Sequence, residues 1–399
     1  MPLALEGITI IELAQLAAAP MAGRLLADLG ADVIHVEHPI RGDTWRGLMA
    51  VQGDSSNINW NWEHYSRNKR SITIDVSKEG GKKIIHKLVE KADVFLTNMR
   101  PLEVEKFGLE YENLSRVNSR LIYACLTGFG KRGPEKDEPG YDHTAYWARS
   151  GIAHMMMPRG TAPDCRLGAF GDNFGGMALA FGIATALFVR ERTGVGQEID
   201  VSLFQTGVYQ LSFHIAQTLI TGQDQYRVER TEMPNVLMNS YQTKDGRWLL
   251  FAILQPDRYW PSFCRAIGRE DLEHDPRFES FLTRIENHAA LLNILDEVFR
   301  TKTLEDWKVR LEGIPFAPVQ NLQEVIADPQ AKANDFFVPF DHPTHGPIDM
   351  VASPVKLSKT PATIRTPAPE FGEHTEEVLL EWGYTWKDIE RFKKDGAIG

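Results

Sequence analysis

Along the first 130 residues, apolar and polar positions alternate between two periods. Short strand-like runs fall at residues 8–13, 32–37, 71–76, 93–98 and 121–127, the first of them β-branched. Between them, residues 17–29 and 78–92 are rich in good helix formers, and Gly30 stands where a helix C-terminus expects it. Strands separated by helical segments predict βαβ units and a mostly parallel, doubly wound α/β sheet. Ligands of such sheets bind beyond the carboxyl ends of the strands. That rule points to a groove beside Glu37 and His38, Val76, and Asn98, Met99 and Arg100.

The pattern changes after residue 168. Residues 168–190 begin glycine-rich and continue as a helix of small and apolar side chains, which predicts close packing and burial. A turn at 194–197, a strand at 198–203 and a helix from 204 to about 219 follow. Residues 221–234 are polar and read as a linker. Two strand-like runs then flank Lys244, Asp245 and Gly246, a hairpin signature. With helices at 258–267, 288–300 and 304–312, this predicts a small α+β domain over 225–325. Residues 337–371 carry seven prolines (Pro339, Pro343, Pro347, Pro354, Pro361, Pro367 and Pro369) and predict a long irregular segment, either a functional loop or a chain wrapped over another surface. Two short helices split by Gly383 and Tyr384 close the pattern.

Composition narrows the function classes. The 399 residues are 43% hydrophobic and 25% charged, which fits a globular protein of two or three domains. A net charge of −10 argues against broad nucleic-acid binding, which needs a basic surface, yet permits a local cationic pocket. Cys125, Cys165 and Cys264 are far apart and lack metal-ligand spacing, so they read as reduced thiols. No basic-then-apolar leader opens the sequence, and the longest apolar stretch, 177–189, is short for a bilayer span of about 20 residues. These features predict a cytoplasmic protein with neither membrane nor nucleic acid as partner. No glycine fingerprint for a dinucleotide follows the first strand, and Walker, zinc-protease and serine-hydrolase motifs are absent too.

Two local features carry candidate chemistry. Asp172 enters the small-residue helix among Gly168, Gly171, Gly175 and Gly176. One reading makes it the helix N-cap. The other makes it a carboxylate nucleophile, with glycines admitting a bulky electrophile and bare N–H groups holding an oxyanion; a helix N-terminus would also keep it ionised. Asn68, Lys69, Arg70 and Ser71 read as a solvated basic turn or, with Arg100 and Lys106, as a phosphate site. His64, His214 and His288 receive no role.

Ordered segments across nearly the whole chain resemble the class III CoA-transferases, a family that includes α-methylacyl-CoA racemase. They are Leu5 through Leu13 with Ala19-Pro20, Leu26 through Ile34 with Glu37, Gly42-Asp43-Thr44 with Arg46, and Asn68 through Ile72. Asp93 through Asn98, Gly171-Asp172, Thr193 through Gln197 and Gly372 through Thr375 complete the series. The resemblance implies a Rossmann-like large domain built from residues 1–205 and a return segment, 330–399, with the small domain between. It also implies two interlocked subunits, either a homodimer or a heteromer with a related chain. Acyl-CoA and carboxylic acids would be the substrates, coenzyme A being carried as an ester, with no permanently bound cofactor and no metal. By family position Asp172 is the catalytic carboxylate, passing through a mixed anhydride and an aspartyl-CoA thioester. His38 would lie against the adenine, Ile74 and Asp75 at the nucleotide end, Asn98, Met99, Arg100 and Lys106 along the groove, and Ala17 and Ala18 near the thioester.

Two departures bear on the reaction. Racemases carry Gly-His-Asp where this chain has Gly140-Tyr141-Asp142, and a tyrosine is a poor base at neutral pH. His143, on a strand, would share a face with position 141. The formyl/oxalyl branch carries a Gln near the catalytic aspartate and a tetraglycine loop; here Ala17 stands and no such loop occurs, which argues against oxalate. The stretch from Gly128 to Trp147 resembles instead the cinnamoyl-CoA:phenyllactate branch, with the succinyl-CoA:benzylsuccinate branch as a second neighbour. The implied reaction is CoA transfer to an aromatic or branched acid, with Met155, Met156, Met157, Trp147 and Phe170 as a candidate apolar wall. A CoA-ester racemase or a subunit of a heteromeric transferase are the alternatives.

Overall fold

The computed structural model describes residues 2–52, 56–163 and 167–399, with the backbone alone at 49–52. Cys165 therefore lies outside the described residues. The chain forms two compact units, one of Met1–Met157, Ala162–Gln225 and Asp335–Gly399, the other of Pro158–Thr161 and Tyr226–Asn334.

The first unit is built on six parallel strands: β1 (Thr9–Leu13), β2 (Asp32–Glu37), β3 (Lys69–Thr73), β4 (Val94–Thr97), β5 (Ile122–Thr127) and β6 (Glu198–Ser202). Their order is β3-β2-β1-β4-β5-β6, that of a dinucleotide-binding doubly wound sheet. Successive residues of a strand face opposite sides, and here both sides are apolar, which is why the strands read as continuous hydrophobic runs. Ile10, Val33, Leu96 and Ala124 pack into one core. Ile11, Ile34, Phe95 and Tyr123 pack into the other, against Ile84, Ile85 and Leu88 of the helix after β3.

Four helices matter for the site: α1 (Ala18–Asp28), α2 (Glu79–Val89), α3 (Pro101–Phe107) and α4 (Phe170–Thr193). Helices α1 and α4 meet so closely that a Cβ on Gly176 would stand 2.6 Å from the Ala18 carbonyl oxygen. Helix α4 runs beyond the apolar stretch 177–189. By length and composition it is long and apolar enough to cross a membrane, so stretch length alone does not exclude a span. Its inner side packs on α1 and β5, while Phe181 and Phe188 lie on an exposed side. A helix at Leu203–Gln210 follows β6.

The proline-rich segment is more regular than expected. Phe337–His342 and Gly346–Val351 pair as an antiparallel ribbon, β10 and β11 by chain order after the three strands of the second unit. Pro339 and Pro347 lie within it; a two-stranded ribbon has a free edge on each strand, where a missing N–H costs little. Residues 352–374 then wrap the first unit. The Asn68 side chain holds them through the Thr363 carbonyl and the Arg365 and Thr366 N–H groups. Trp62 Nε1 and Arg46 both donate to the Pro369 carbonyl.

In the second unit, β7 (Ser240–Gln242), β8 (Trp248–Phe251) and β9 (Phe316–Pro318) form an antiparallel sheet. Its core is aromatic, with Tyr241, Phe251, Phe263, Phe299 and Trp307 fully or nearly fully buried.

Candidate active site

The carboxyl ends of β1 to β5 open onto one cleft of about 530 Å³. Its walls come from the loops after those strands, as the strand order demands at a switch point between β1 and β4. A cleft of that size is ordinary for a small-molecule site.

Most residues singled out from the sequence line it: Ala18, His38, Ile74, Asp75, Asn98, Met99, Arg100 and Asp172. Two do not. Ala17 is buried with Met21, Leu25 and Tyr65 beneath the start of α1. Lys106 lies on α3 with its ammonium 5.6 Å from the Phe107 ring; it is Phe107 that reaches the cleft.

Several lining residues are committed to shaping the cleft. Asn98 accepts the Gln15 N–H at 3.0 Å and donates to its carbonyl at 2.7 Å, so it clamps the loop after β1. In that loop Leu16 takes a left-handed φ of +64°, and its N–H is accepted by Asp43 at 3.2 Å. His38 Nδ1 accepts the Ile40 and Arg41 N–H groups, which leaves Nε2 facing Asp75 at 3.9 Å. Burial works against the charge of Asp75, yet the Ser77 hydroxyl and N–H hold its proton affinity below the ordinary carboxylate range. Arg100 is paired with Glu103 at 2.9 Å and reaches the Asp137 carbonyl, tying the loop after β4 to the loop after β5.

The sequence reading missed Gln15, Leu16, Arg41, Ser77 and Lys136, all at the cleft. Their signal was topological: each lies in the loop after a strand, and only the strand order tells which loops meet. Arg41 and Lys136 join Arg100 as its cations. Residues 68–71 form neither a solvated basic turn nor a phosphate site, since they are largely internal. Lys69 and Arg70 belong to β3, where Lys69 is buried against Glu12 and Arg70 pairs with Asp32 at 2.6 Å.

Asp172 sits in the third position of α4, and Ala169, at φ +60°, is the N-cap. Asp172 thus makes no cap. Asp142 does so from elsewhere in the chain, accepting the Gly171 N–H at 2.6 Å. No side-chain hydrogen bond engages the Asp172 carboxylate among the described residues. Burial, then the neighbouring Asp142 charge, pushes Asp172 up to about 7. The sequence expectation of a carboxylate kept ionised by a helix N-terminus is therefore reversed.

The glycines around it also serve packing. A Cβ on Gly171 would fall 2.1 Å from the Tyr146 ring, so Gly171 admits a protein side chain; with Gly176 against Ala18, the close approaches are internal. Residues Asp142–Ala148 form a π-helix, not a strand. His143 is consequently exposed outside the cleft lining, while Tyr141 lines it. Of the suggested apolar wall, Trp147 is buried with its ring 5.7 Å from that of Phe170, and Phe170 and Met156 are exposed. Among the described residues no three His, Cys, Asp or Glu side chains are grouped to hold a metal.

A profile of CoA-transferase family III matches residues 5–375. The chain belongs to CoA-transferase family III. Within this family it is 35% identical to an (R)-2-hydroxy-4-methylpentanoate CoA-transferase of Clostridioides difficile, over 99% of both chains. It is 36% identical to a cinnamoyl-CoA:phenyllactate CoA-transferase of Clostridium sporogenes, over 98% of this chain and 97% of that one. The crystal structure of a CAIB/BAIF family protein from Brucella suis superposes with a TM-score of 0.83 at 31% identity, covering 96% of this chain and all of the other. Family III CoA-transferases move CoA between acids, so acyl-CoA esters and carboxylates are the substrate classes.

Proposed function

We propose that this chain transfers CoA from a donor acyl-CoA to an aromatic or branched 2-hydroxy acid, with Asp172 as the covalent nucleophile. The observation that carries the reading is the Asp172 carboxylate itself, free of hydrogen bonds to other side chains among the described residues and lining the cleft where the strand ends converge. The acid class rests on the two relatives of similar length, whose names specify a branched and an aryl hydroxy acid.

The ionised Asp172 attacks the thioester carbonyl; the C–S bond breaks and CoA leaves as thiolate. The thiolate then attacks the Asp172 carbonyl of the mixed anhydride and expels the donor carboxylate. An acceptor carboxylate attacks the aspartyl-CoA thioester, releasing thiolate again. Attack of that thiolate on the acyl carbonyl of the second anhydride forms the product thioester and frees Asp172. Each step exchanges one activated acyl bond for another, so no nucleotide hydrolysis is required. The cations Arg41, Arg100 and Lys136 suit the phosphates that must stay bound while the sulfur moves. A second copy of the chain is part of this reading. The side chains Phe181, Phe188, Tyr209, Phe213 and Ile220, each more than half exposed, supply the apolar surface that such a partner would cover.

The test is chemical. Incubation with acyl-CoA, a hydroxylamine quench and peptide mass spectrometry are expected to find the modification on Asp172. An unmodified Asp172 in a turning-over enzyme overturns the reading.

A further inference from the structure

On the reading that Asp172 is the nucleophile, we propose that Asp142 is its positioning residue. It caps α4 in place of Asp172 and so leaves the Asp172 carboxylate unbonded at the cleft.

The geometry begins with an N-terminal turn that needs an acceptor. Its N–H groups have no partner within the helix, and Ala169 at the N-cap has no side-chain oxygen. A carboxylate in the third position of such a turn would ordinarily be drawn to those N–H groups and the positive end of the helix. Here the acceptor is imported. Asp142 opens the π-helical turn Asp142–Ala148, and its Oδ1 takes the Gly171 N–H. From the same turn, Tyr146 seats its ring against Gly171, which fixes the distance between the two segments. A π-helical turn is rare and tends to mark functional sites.

The arrangement is costly for the fold, which argues that stability alone does not explain it. Asp142 is buried, and its Oδ2 makes no full hydrogen bond, with only the Trp147 indole and the Asp172 N–H facing the carboxylate beside the Gly171 N–H. It adds a negative charge beside a second carboxylate. Among the described residues, the other groups facing the pair do little to neutralise it. Tyr65, from the helix Trp60–Ser66, faces both carboxylates and donates to Asn173 Oδ1 at 3.1 Å. Tyr146 faces Asp142 from within the π-helix, and His143 adjoins it from an exposed position. Helix α1 presents Ala18 and Met21 to α4, and its Arg24 is engaged by Asp28. β5 and the helix Leu203–Gln210 present Leu126 and Leu203. Burial and the Asp142 charge together raise Asp172, and a more basic carboxylate is the better nucleophile once ionised.

The experiment measures adduct formation at Asp172 and kcat/KM from pH 5 to 9 in the wild type, Asp142→Asn and Asp142→Ala. Asp142→Asn keeps an oxygen for the Gly171 N–H and removes the charge. Its acid limb is expected to move down by about one pH unit. Asp142→Ala leaves the N–H groups open to Asp172, and kcat is expected to fall by about ten-fold or more, with KM for acyl-CoA moving less than about two-fold. Should the alanine variant not fold, Asp142→Ser, shorter and uncharged, takes its place. Wild-type kcat and adduct yield at Asp172 in the folded variant without the cap overturn this inference while leaving the transferase reading intact. No adduct on Asp172 in the wild type overturns both.

Discussion

Two groups of buried charge lie in the first unit, and they are built on opposite rules. Beneath the loop after β1, Glu12 accepts from Lys69 at 2.7 and 3.0 Å and from His35 at 2.6 Å, and Lys69 also donates to the Pro20 carbonyl. His35 Nε2 lies 3.6 Å from Asp43, whose carboxylate holds the Leu16 N–H. Beside it, Glu37 takes Arg46 through two bonds of 2.7 Å and the Ser71 hydroxyl at 2.6 Å. Every charge there has an opposite one. Burial works to discharge His35, but Asp43 and Glu12 outweigh it and hold it up to about 9. At the start of α4, Asp142 and Asp172 are two carboxylates with no cation paired to either among the described residues. The first group lies under the walls of the cleft; the second stores proton affinity at the carboxylate proposed as its reactive point. Paired burial makes a platform and unpaired burial makes a reactive group.

The sharpest way to break the contrast is at the proposed nucleophile. Asp172→Ala is expected to lower the transfer rate by roughly 10³-fold or more while the far-ultraviolet circular dichroism stays unchanged. A variant with even a tenth of wild-type turnover places the reactive group elsewhere.

The paired cluster should answer in stability. Glu12→Gln removes the carboxylate that faces both Lys69 and His35, leaving Lys69 without its counter-charge and His35 with Asp43 alone, a loss of about 3–5 kcal/mol. It is expected to show as a lower urea midpoint, with wild-type kcat in whatever fraction remains folded. A midpoint within error of the wild type means the cluster is not the platform described here.

Sequence reasoning reached one group far better than the other, for physical reasons. The sheet was legible because strands buried on both faces must be apolar throughout, and the segments 8–13, 32–37, 93–98 and 121–127 are dense in apolar residues. The groove followed from strand ends, and His38, Asp75 and Asn98 lie on it. Lys69 misled because a lysine beside an arginine reads as surface, and its partner Glu12 is 57 positions away on a strand brought near only by the sheet order. Asp172 was visible as a carboxylate among glycines. Its freedom from capping was not, because the residue that caps in its place is 30 positions earlier, on a π-helical turn that no propensity announces.

Gly171 tests whether the two carboxylates are held at a set distance. A Cβ there meets the Tyr146 ring at 2.1 Å, so Gly171→Ala must push the π-helical turn off α4. Overpacking of this kind costs about 1–3 kcal/mol. The apparent melting midpoint and the adduct yield at Asp172 are both expected to fall, and a second substitution, Tyr146→Ala, should restore part of each. Failure of that second change to recover either one removes the ring contact from the account.

The smallest effect is read in the pH dependence of stability. Asp172 holds its proton up to about 7 in the folded protein, against an ordinary 3.8, so between those values the folded state binds more protons than the unfolded one. Stability then falls as pH rises through that window, and the full penalty remains above it. Asp172→Asn removes this penalty, whereas the His35 contribution, present below about 6.5 and lost as pH rises through about 9, is common to both proteins and cancels in their difference. The apparent melting midpoint of Asp172→Asn is therefore expected to rise relative to the wild type between pH 4 and pH 8, with a gain of about 2–4 °C across that range. A difference that stays constant from pH 4 to 8 would mean that Asp172 ionises as an exposed carboxylate does, and the distinction between paired and unpaired burial would lose its second member.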